Sequence, residues 1–438
     1  MKTKAILFAV VTTLCLVGCS KGDDNENINN KPAIPERIQE EDPVLYPSDP
    51  ADTRHSYKPV QLDETQRAIN QKLEAFSWKL FKEVYANREE GENLMISPIS
   101  LEVDLGMFLN GLEGETLQEV KKTMGLEDFT QAQINEFFHT MMTGIEKADE
   151  AAIFKGANAF WYNQTRTAND GFLTAIKTSY DAKAEVVDFA DPQTVKTINA
   201  WCAEQTNDRI KEMLQETSDK DLFHLMNAVY FKAGWEDPFE KDATKEMPFH
   251  YANGKTEMVD MMRQTYWTAY AETDKYQLCT RPFVDHSFQM VLILPKEGVA
   301  MEDAIPAALD FKVRATAEVY VGKPESREVV LYAPKFTAEY TAKHLFEYMK
   351  NINPDLVLDW QDVNIFSPKE EMLLDATQKT FFLMDEEGAE AAAVTDIFGE
   401  LTAVIEHNYV YMTLDRPFIY AIVETETGCP LFIGYYGN

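Results

Sequence analysis

Residues 385–400 read DEEGAEAAAVTDIFGE, from Asp385 to Glu400, and they alternate with the period of a β-strand. One parity, Ala389, Ala391, Ala393, Thr395, Ile397 and Gly399, is small or apolar throughout. The other, Glu390, Ala392, Val394, Asp396, Phe398 and Glu400, is acidic at three of six places. Successive strand side chains point to opposite faces, so the segment is able to bury one face and wet the other. The same residues suit an exposed loop, and the Ala and Glu content of Glu386–Val394 suits a helix. On composition alone the three readings stay open. A stretch that can be loop in one state and strand in another is the most informative feature of the chain.

The 438 residues are 45% apolar and 12% aromatic, which fits a globular chain with a large core. A net charge of −32 repels nucleic acid and anionic lipid headgroups and makes both poor partners. The N-terminus reads as a targeting segment: Lys2 and Lys4, then an apolar run from Ala5 to Val17 too short to span a membrane. Its end, Leu16-Val17-Gly18-Cys19, resembles a bacterial lipoprotein signal with Cys19 as the lipidated residue. That resemblance implies membrane contact through a lipid anchor only, in the bacterial envelope at the outer membrane, with exposure at the cell surface left open. Losing Lys2 and Lys4 takes the charge from −32 to −34. Cys15 leaves with the signal, and Cys202, Cys279 and Cys429 are widely spaced, so neither a disulfide framework nor a metal pattern is expected.

Three regions follow: the signal at 1–19, a polar and proline-containing tether at 20–62, and a globular domain at 63–438. Ile69, Leu73, Phe76, Leu80 and Val84 recur at helical spacing, closed by Gly91. Ser97-Pro98 starts a second helix, with proline at its first position. Thr116-Leu117-Gln118-Glu119 reads as a capping box opening a third, which Gly125 ends. Strand patterns dominate the second half: Phe288–Leu294, Glu328–Tyr332, Tyr409–Thr413, and a hairpin pairing Phe418–Val423 with Leu431–Tyr436 around Thr427-Gly428. Helices first and strands later, without strict alternation, predict an α+β fold.

Several separate stretches then resemble the serpin family, in order, from about residue 65 to the C-terminus. They are Asn93-Leu94-Met95-Ile96-Ser97-Pro98-Ile99-Ser100, Gly111-Leu112-Glu113-Gly114-Glu115-Thr116, Asn227-Ala228-Val229-Tyr230-Phe231-Lys232-Ala233-Gly234-Trp235, Asp415-Arg416-Pro417-Phe418 and Pro430-Leu431-Phe432-Ile433-Gly434. Between them, Glu386-Glu387-Gly388-Ala389-Glu390-Ala391-Ala392-Ala393 resembles the hinge of an inhibitory reactive loop, which spans about 386–410. The resemblance implies a helix cluster with three β-sheets, the large sheet accepting the cleaved loop as an extra strand. It also implies a monomer that acts once, without cofactor or metal, as bait for a protease held as an acyl-enzyme. Hinge residues Glu386, Gly388, Ala389, Ala391, Ala392 and Ala393 carry little bulk at the inward parity, as insertion requires.

By the same resemblance Ser97, Ser100 and Asn227 match a polar cluster beneath the opening sheet, and Trp235 matches an aromatic residue where the loop first inserts. Lys335 and Glu386 match a pair closing the sheet top, and Gln378 stands where the family usually has histidine. Family spacing places the scissile bond at Thr402–Ala403, while counting back from Asp415-Arg416-Pro417 lands near Glu406–His407. The window is therefore Gly399, Glu400, Leu401, Thr402, Ala403, Val404, Ile405, Glu406 and His407, with Thr402 as the single best position.

No Lys or Arg occurs between Lys379 and Arg416, which argues against trypsin-like targets. Phe398, Leu401, Thr402 and Val404 suit elastase-, chymotrypsin- or subtilisin-like serine proteases, with cysteine proteases of apolar specificity left open. Glu400 and Glu406 would suit a glutamate-specific enzyme. The main alternative is a non-inhibitory carrier or binding protein of the same fold on the bacterial surface, against which the alanine-rich hinge argues. The seven histidines fall in no nucleophile or metal motif, so the chain does not read as an enzyme.

Overall fold

Residues 58–89, 91–310, 326–372, 376–389 and 409–437 are described by a computed structural model. In chain order their elements are α1 (Glu64–Ala86), β1 (Leu94–Ile96), α2 (Pro98–Leu109), α3 (Gly114–Met124), α4 (Gln131–Glu146), β2 (Ile153–Asn163), α5 (Asp170–Tyr180), β3 (Lys183–Val187), α6 (Pro192–Gln205), β4 (Phe223–Gly234), β5 (Lys245–His250), β6 (Thr256–Glu272), β7 (Tyr276–Pro282), β8 (Phe288–Pro295), α7 (Met301–Asp310), β9 (Ser326–Pro334), β10 (Phe336–Ala342), α8 (Leu345–Ile352), β11 (Gln378–Met384), β12 (Gly388–Ala389), β13 (Val410–Thr413), β14 (Phe418–Glu424) and β15 (Pro430–Tyr436). The α+β expectation holds.

Local chemistry sets the helix starts. A reciprocal capping box opens α1: Asp63 Oδ1 accepts from Gln66 N–H at 2.8 Å, and Gln66 Oε1 accepts from Asp63 N–H at 3.0 Å. The residues read at helical spacing, Ile69, Leu73, Phe76, Leu80 and Val84, form its buried stripe. Packing begins before Asp63, because Lys58 N–H donates to Ala148 O at 2.8 Å and Val60 and Leu62 are buried. α2 starts at Pro98 as expected and is buried nearly all round, which makes it the central helix.

The third helix corrects the sequence reading. α3 begins at Gly114, so Thr116 is not its cap. Asp362, far along the chain, does the capping instead: its Oδ2 accepts the Thr116 N–H at 2.9 Å, which holds that carboxyl below its ordinary range. No local pattern announces a cap supplied from 246 residues away.

Hydrogen bonding groups the strands into three sheets. Nine strands form one, in the order β1-β15-β14-β8-β7-β6-β9-β13 with β5 on β6. β8, β14 and β15 are buried at every residue and carry the core. The hairpin read at Thr427-Gly428 joins β14 to β15. The other two sheets are β12-β4-β2-β3 and the antiparallel pair β10-β11. They are two halves flanking a slot, and β12, only two residues long, sits at its head.

Candidate functional site: a slot between two half-sheets

At the head, Asp385 reverses the chain. Its Oδ1 accepts the N–H groups of Glu387 and Gly388 at 2.8 and 3.1 Å, and its own N–H donates to Gly388 O at 3.1 Å. β12 then runs antiparallel to β4, with Gly388 opposite Gly234 and Ala389 opposite Ala233. Gly388 has φ of 148°, and a Cβ there would lie 2.3 Å from Ala233 O, so only glycine fits. Ala389 points inward and is 1% exposed.

Glu386 and Trp235 fasten this turn. Lys335 Nζ lies 2.8 Å from Glu386 Oε2, and Thr244 Oγ1 donates to Glu386 Oε1 at 2.9 Å. Burial opposes the charge on Glu386, but the bonds from Lys335 and Thr244 outweigh it and hold the carboxyl below its ordinary value. The Trp235 N–H donates to Glu387 O at 2.9 Å, and its ring Nε1–H donates to Asp385 O at 2.9 Å. The indole stacks on Phe283 at 4.5 Å, while the buried Arg281 guanidinium lies 4.9 Å from its centroid and 3.9 Å from that of Phe239.

Further down, α2 bridges the two lips from below. Gln378 on β11 grips the Ser97 backbone at both ends: its Oε1 accepts the Ser97 N–H and its Nε2–H donates to Ser97 O, both at 2.7 Å. Ser97 Oγ donates to Leu431 O at 2.7 Å, which ties this grip to β15. Thr380, next along β11, donates from Oγ1 to Met95 O at 2.8 Å. On the opposite lip Ser100 Oγ donates to Asn227 O at a long 3.5 Å. Asn227 Nδ2 donates to Asn158 Oδ1 at 2.7 Å, and Asn158 Nδ2 donates to Tyr180 O at 2.6 Å. Between the lips a cavity is lined by Val229, Tyr230 and Phe231 of β4, Phe381, Phe382 and Leu383 of β11, and Ala389.

The parity of β4 follows from one bond. Trp235 N–H donates to Glu387 O, so the odd-numbered residues of β4 turn their N–H and C=O groups toward the slot. β4 pairs with β2 without a register shift from Lys232 to Phe223, so the alternation carries down to Asn227. Asn227 therefore presents both backbone groups to the slot.

The sequence profile described as Serpin (serine protease inhibitor) matches residues 71–438. The chain belongs to the serpin family. It is 29% identical to an uncharacterized serpin-like protein of Thermococcus kodakarensis, over 99% of both chains. It is 28% identical to serine protease inhibitor 42Dd of Drosophila melanogaster, over 79% of this chain and 92% of that one. Among solved structures, the native state of a thermophilic serpin, tengpin, superposes with a TM-score of 0.74 at 28% identity, covering 87% of this chain and 96% of that one.

In this serpin Ser97, Ser100, Asn227 and Gln378 meet at the floor of the slot, while Trp235, Lys335 and Glu386 meet at its head. Gln378 makes two hydrogen bonds to the backbone of one residue, Ser97. Gly388 and Ala389 lie in β12. Ala391, Ala392 and Ala393, the window Gly399–His407, and Cys19 with the tether up to residue 57 lie outside the described residues. Cys202, Cys279 and Cys429 are free and buried. Sequence reasoning missed Asn158, Thr380, Asp104 and Arg281. Asn158 pairs with Asn227 across β2 and β4, and Thr380 lies two residues past Gln378 on the same face of β11, where strand alternation alone could have nominated it.

Proposed function

We propose that this serpin is an inhibitor of serine endopeptidases, and of cysteine endopeptidases of similar preference, that traps them by loop insertion rather than acting as a carrier or an enzyme. The observation that supports this reading is β12: the chain after Glu386 already pairs with β4 at the head of the slot. Residues paired so far sum to one register, Gly388 with Gly234 and Ala389 with Ala233. Continued downward, that register sets Thr395 opposite Asn227 and Gly399 opposite Phe223, where β4 begins. The inward parity is then Ala391, Ala393, Thr395 and Ile397, without charge. About ten added residues, at roughly 1 kcal/mol net for each ladder hydrogen bond, supply a driving force comparable to a domain's whole stability.

The protease nucleophile attacks the carbonyl carbon at the bait bond, proposed as Thr402–Ala403 within Gly399–His407. An acyl bond to the protease forms as the peptide bond breaks, and the proton goes to the new amine. The segment after the cut stays with β13, which pairs in parallel with β9. The segment before it is free to enter the slot with the protease attached. Absence of Lys and Arg from 380 to 415 favours elastase-, chymotrypsin- or subtilisin-like enzymes over trypsin-like ones. The chain is proposed to act as a monomer, anchored through lipidated Cys19 in the bacterial envelope; a Cys19→Ala variant should appear in the soluble fraction.

The test is incubation with pancreatic elastase. A complex that survives SDS, and a cleaved chain that melts well above the uncleaved one, support the reading. Clean cleavage with neither sign overturns it in favour of a carrier.

A further inference from the structure

We propose that Asp104 is a positioning residue for strand insertion: from α2 its carboxyl holds the slot-facing N–H of Asn227, and an entering strand must displace it. The inference rests on the insertion reading above. Asp104 follows Ser100 by four residues, so both lie on one face of α2, the face beneath β4. The Asp104 carboxyl faces the Asn227 N–H, whose influence opposes the effect of burial on it, and the Asn227 C=O accepts from Ser100 Oγ at 3.5 Å. Two side chains of one helix thus occupy the pair of backbone groups that a new strand would claim at this level.

The network around them is unfinished. Asp104 is half-buried as a residue, yet its Oδ1 is shut off from solvent without a hydrogen-bond partner, and so is Oδ1 of Asn227. Burial pushes the Asp104 carboxyl well above its ordinary range, against the opposing effect of the Asn227 N–H. Burial favours the uncharged acid, which can let go of Asn227 and stay buried, whereas a carboxylate left there would strand a charge. Asp104 thus stabilises the waiting state and gives way in the inserted one. A residue that merely filled space would stabilise both.

The experiment compares wild type, Asp104→Asn and Asp104→Leu, each uncleaved and after elastase cleavage, by thermal unfolding. It adds the rate at which a synthetic peptide with the sequence of residues 389–399 is taken up by the uncleaved chain. Asp104→Asn keeps an acceptor and should track wild type. Asp104→Leu should lower the uncleaved Tm by about 1–2 °C, leave the cleaved Tm unchanged or higher, and speed peptide uptake about fivefold, the factor of one lost hydrogen bond. Equal Tm losses in both forms, or slower uptake, overturn the role of Asp104 while insertion stands. A wild-type chain whose Tm does not rise on cleavage overturns insertion and this inference with it. Should Asp104→Leu not fold, hydrogen exchange at the Asn227 amide of uncleaved wild type decides. Protection supports the contact, and exchange at the rate of a free peptide removes it.

Discussion

Replacing Ala389 with arginine puts a charge on the first inward residue of the strand proposed to enter the slot. Ala389 is 1% exposed and faces Phe231, Phe381 and Phe382 across the cavity. In the uncleaved chain β12 can simply unpair, at a cost of two residues' ladder bonds, about 1 kcal/mol each, so the fold survives. Insertion has no such escape, because the guanidinium would pass between β4 and β11 where no carboxylate faces Ala389 among the cavity's lining residues. Burying a charge without a partner costs several kcal/mol; about 3–4 kcal/mol on the insertion barrier slows it by roughly 10²–10³-fold. Hydrolysis of the acyl-enzyme then wins. With elastase, Ala389→Arg should be cleaved at the wild-type rate but give no SDS-stable complex, while Ala389→Ser, small and neutral, should still trap. Full complex formation by Ala389→Arg at unchanged stoichiometry would refute the reasoning that this residue leads the insertion.

Further outcomes follow from the same geometry. Elastase cleavage should release a C-terminal peptide starting between residues 400 and 408, by mass spectrometry, and trypsin should leave 380–415 intact. Gly388→Val should unpair β12, because its Cβ would lie 2.3 Å from Ala233 O, and hydrogen exchange at the Trp235 amide should rise at least tenfold. Glu386, held below its ordinary pKa by Lys335 and Thr244, adds stability present above about pH 4.5 and lost as pH falls through the folded value. The stability gap between wild type and Lys335→Ala, of about 0–1 kcal/mol for a partly exposed pair, should therefore close on acidification below pH 4.5. Glu102 of α2 behaves with the opposite sign. Burial pushes its carboxyl up to about 8 despite a 2.6 Å bond from Ser77 Oγ. The folded state then keeps a proton that the unfolded chain releases, so stability falls between pH 4.5 and 8, by at most about 1.4 kcal/mol per unit. Glu102→Gln should flatten that slope in denaturant unfolding.

The elements legible in the sequence are those whose signals are local. Ile69, Leu73, Phe76, Leu80 and Val84 mark α1 by their spacing, Pro98 starts α2, and Thr427-Gly428 turns β14 into β15. Ala389, read as inward from alternation alone, is buried in β12. What escaped was set by distant partners. Thr116 looked like a cap until Asp362 took its N–H. Arg281 lies in a strand whose sequence gives no hint that Trp235, Phe239 and Tyr266 will surround its guanidinium. Asp104 is the one residue of α2 that is not fully buried, and nothing in its local sequence points to the β4 backbone it faces.

The parting of β4 and β11 locates the barrier to the proposed insertion. The slot is fastened twice, at the head by Glu386 with Lys335 and Thr244, and at the floor by α2, which holds Gln378 on one lip and Asn227 on the other. Between the two fastenings the cavity beside Val229 and Phe231 offers the least resistance. A strand zipping down from Ala389 meets small residues first, and alanines slip past the phenylalanines lining this stretch. Resistance should then peak at the level of Asn227, where two hydrogen bonds from α2 must break before the ladder can advance. Substitutions at the floor should therefore change the rate of insertion more than those midway. The direct comparison is peptide uptake by Ser100→Ala and by Val229→Ala: the first should be faster than wild type and the second close to it. Equal effects at the two positions would place the barrier elsewhere.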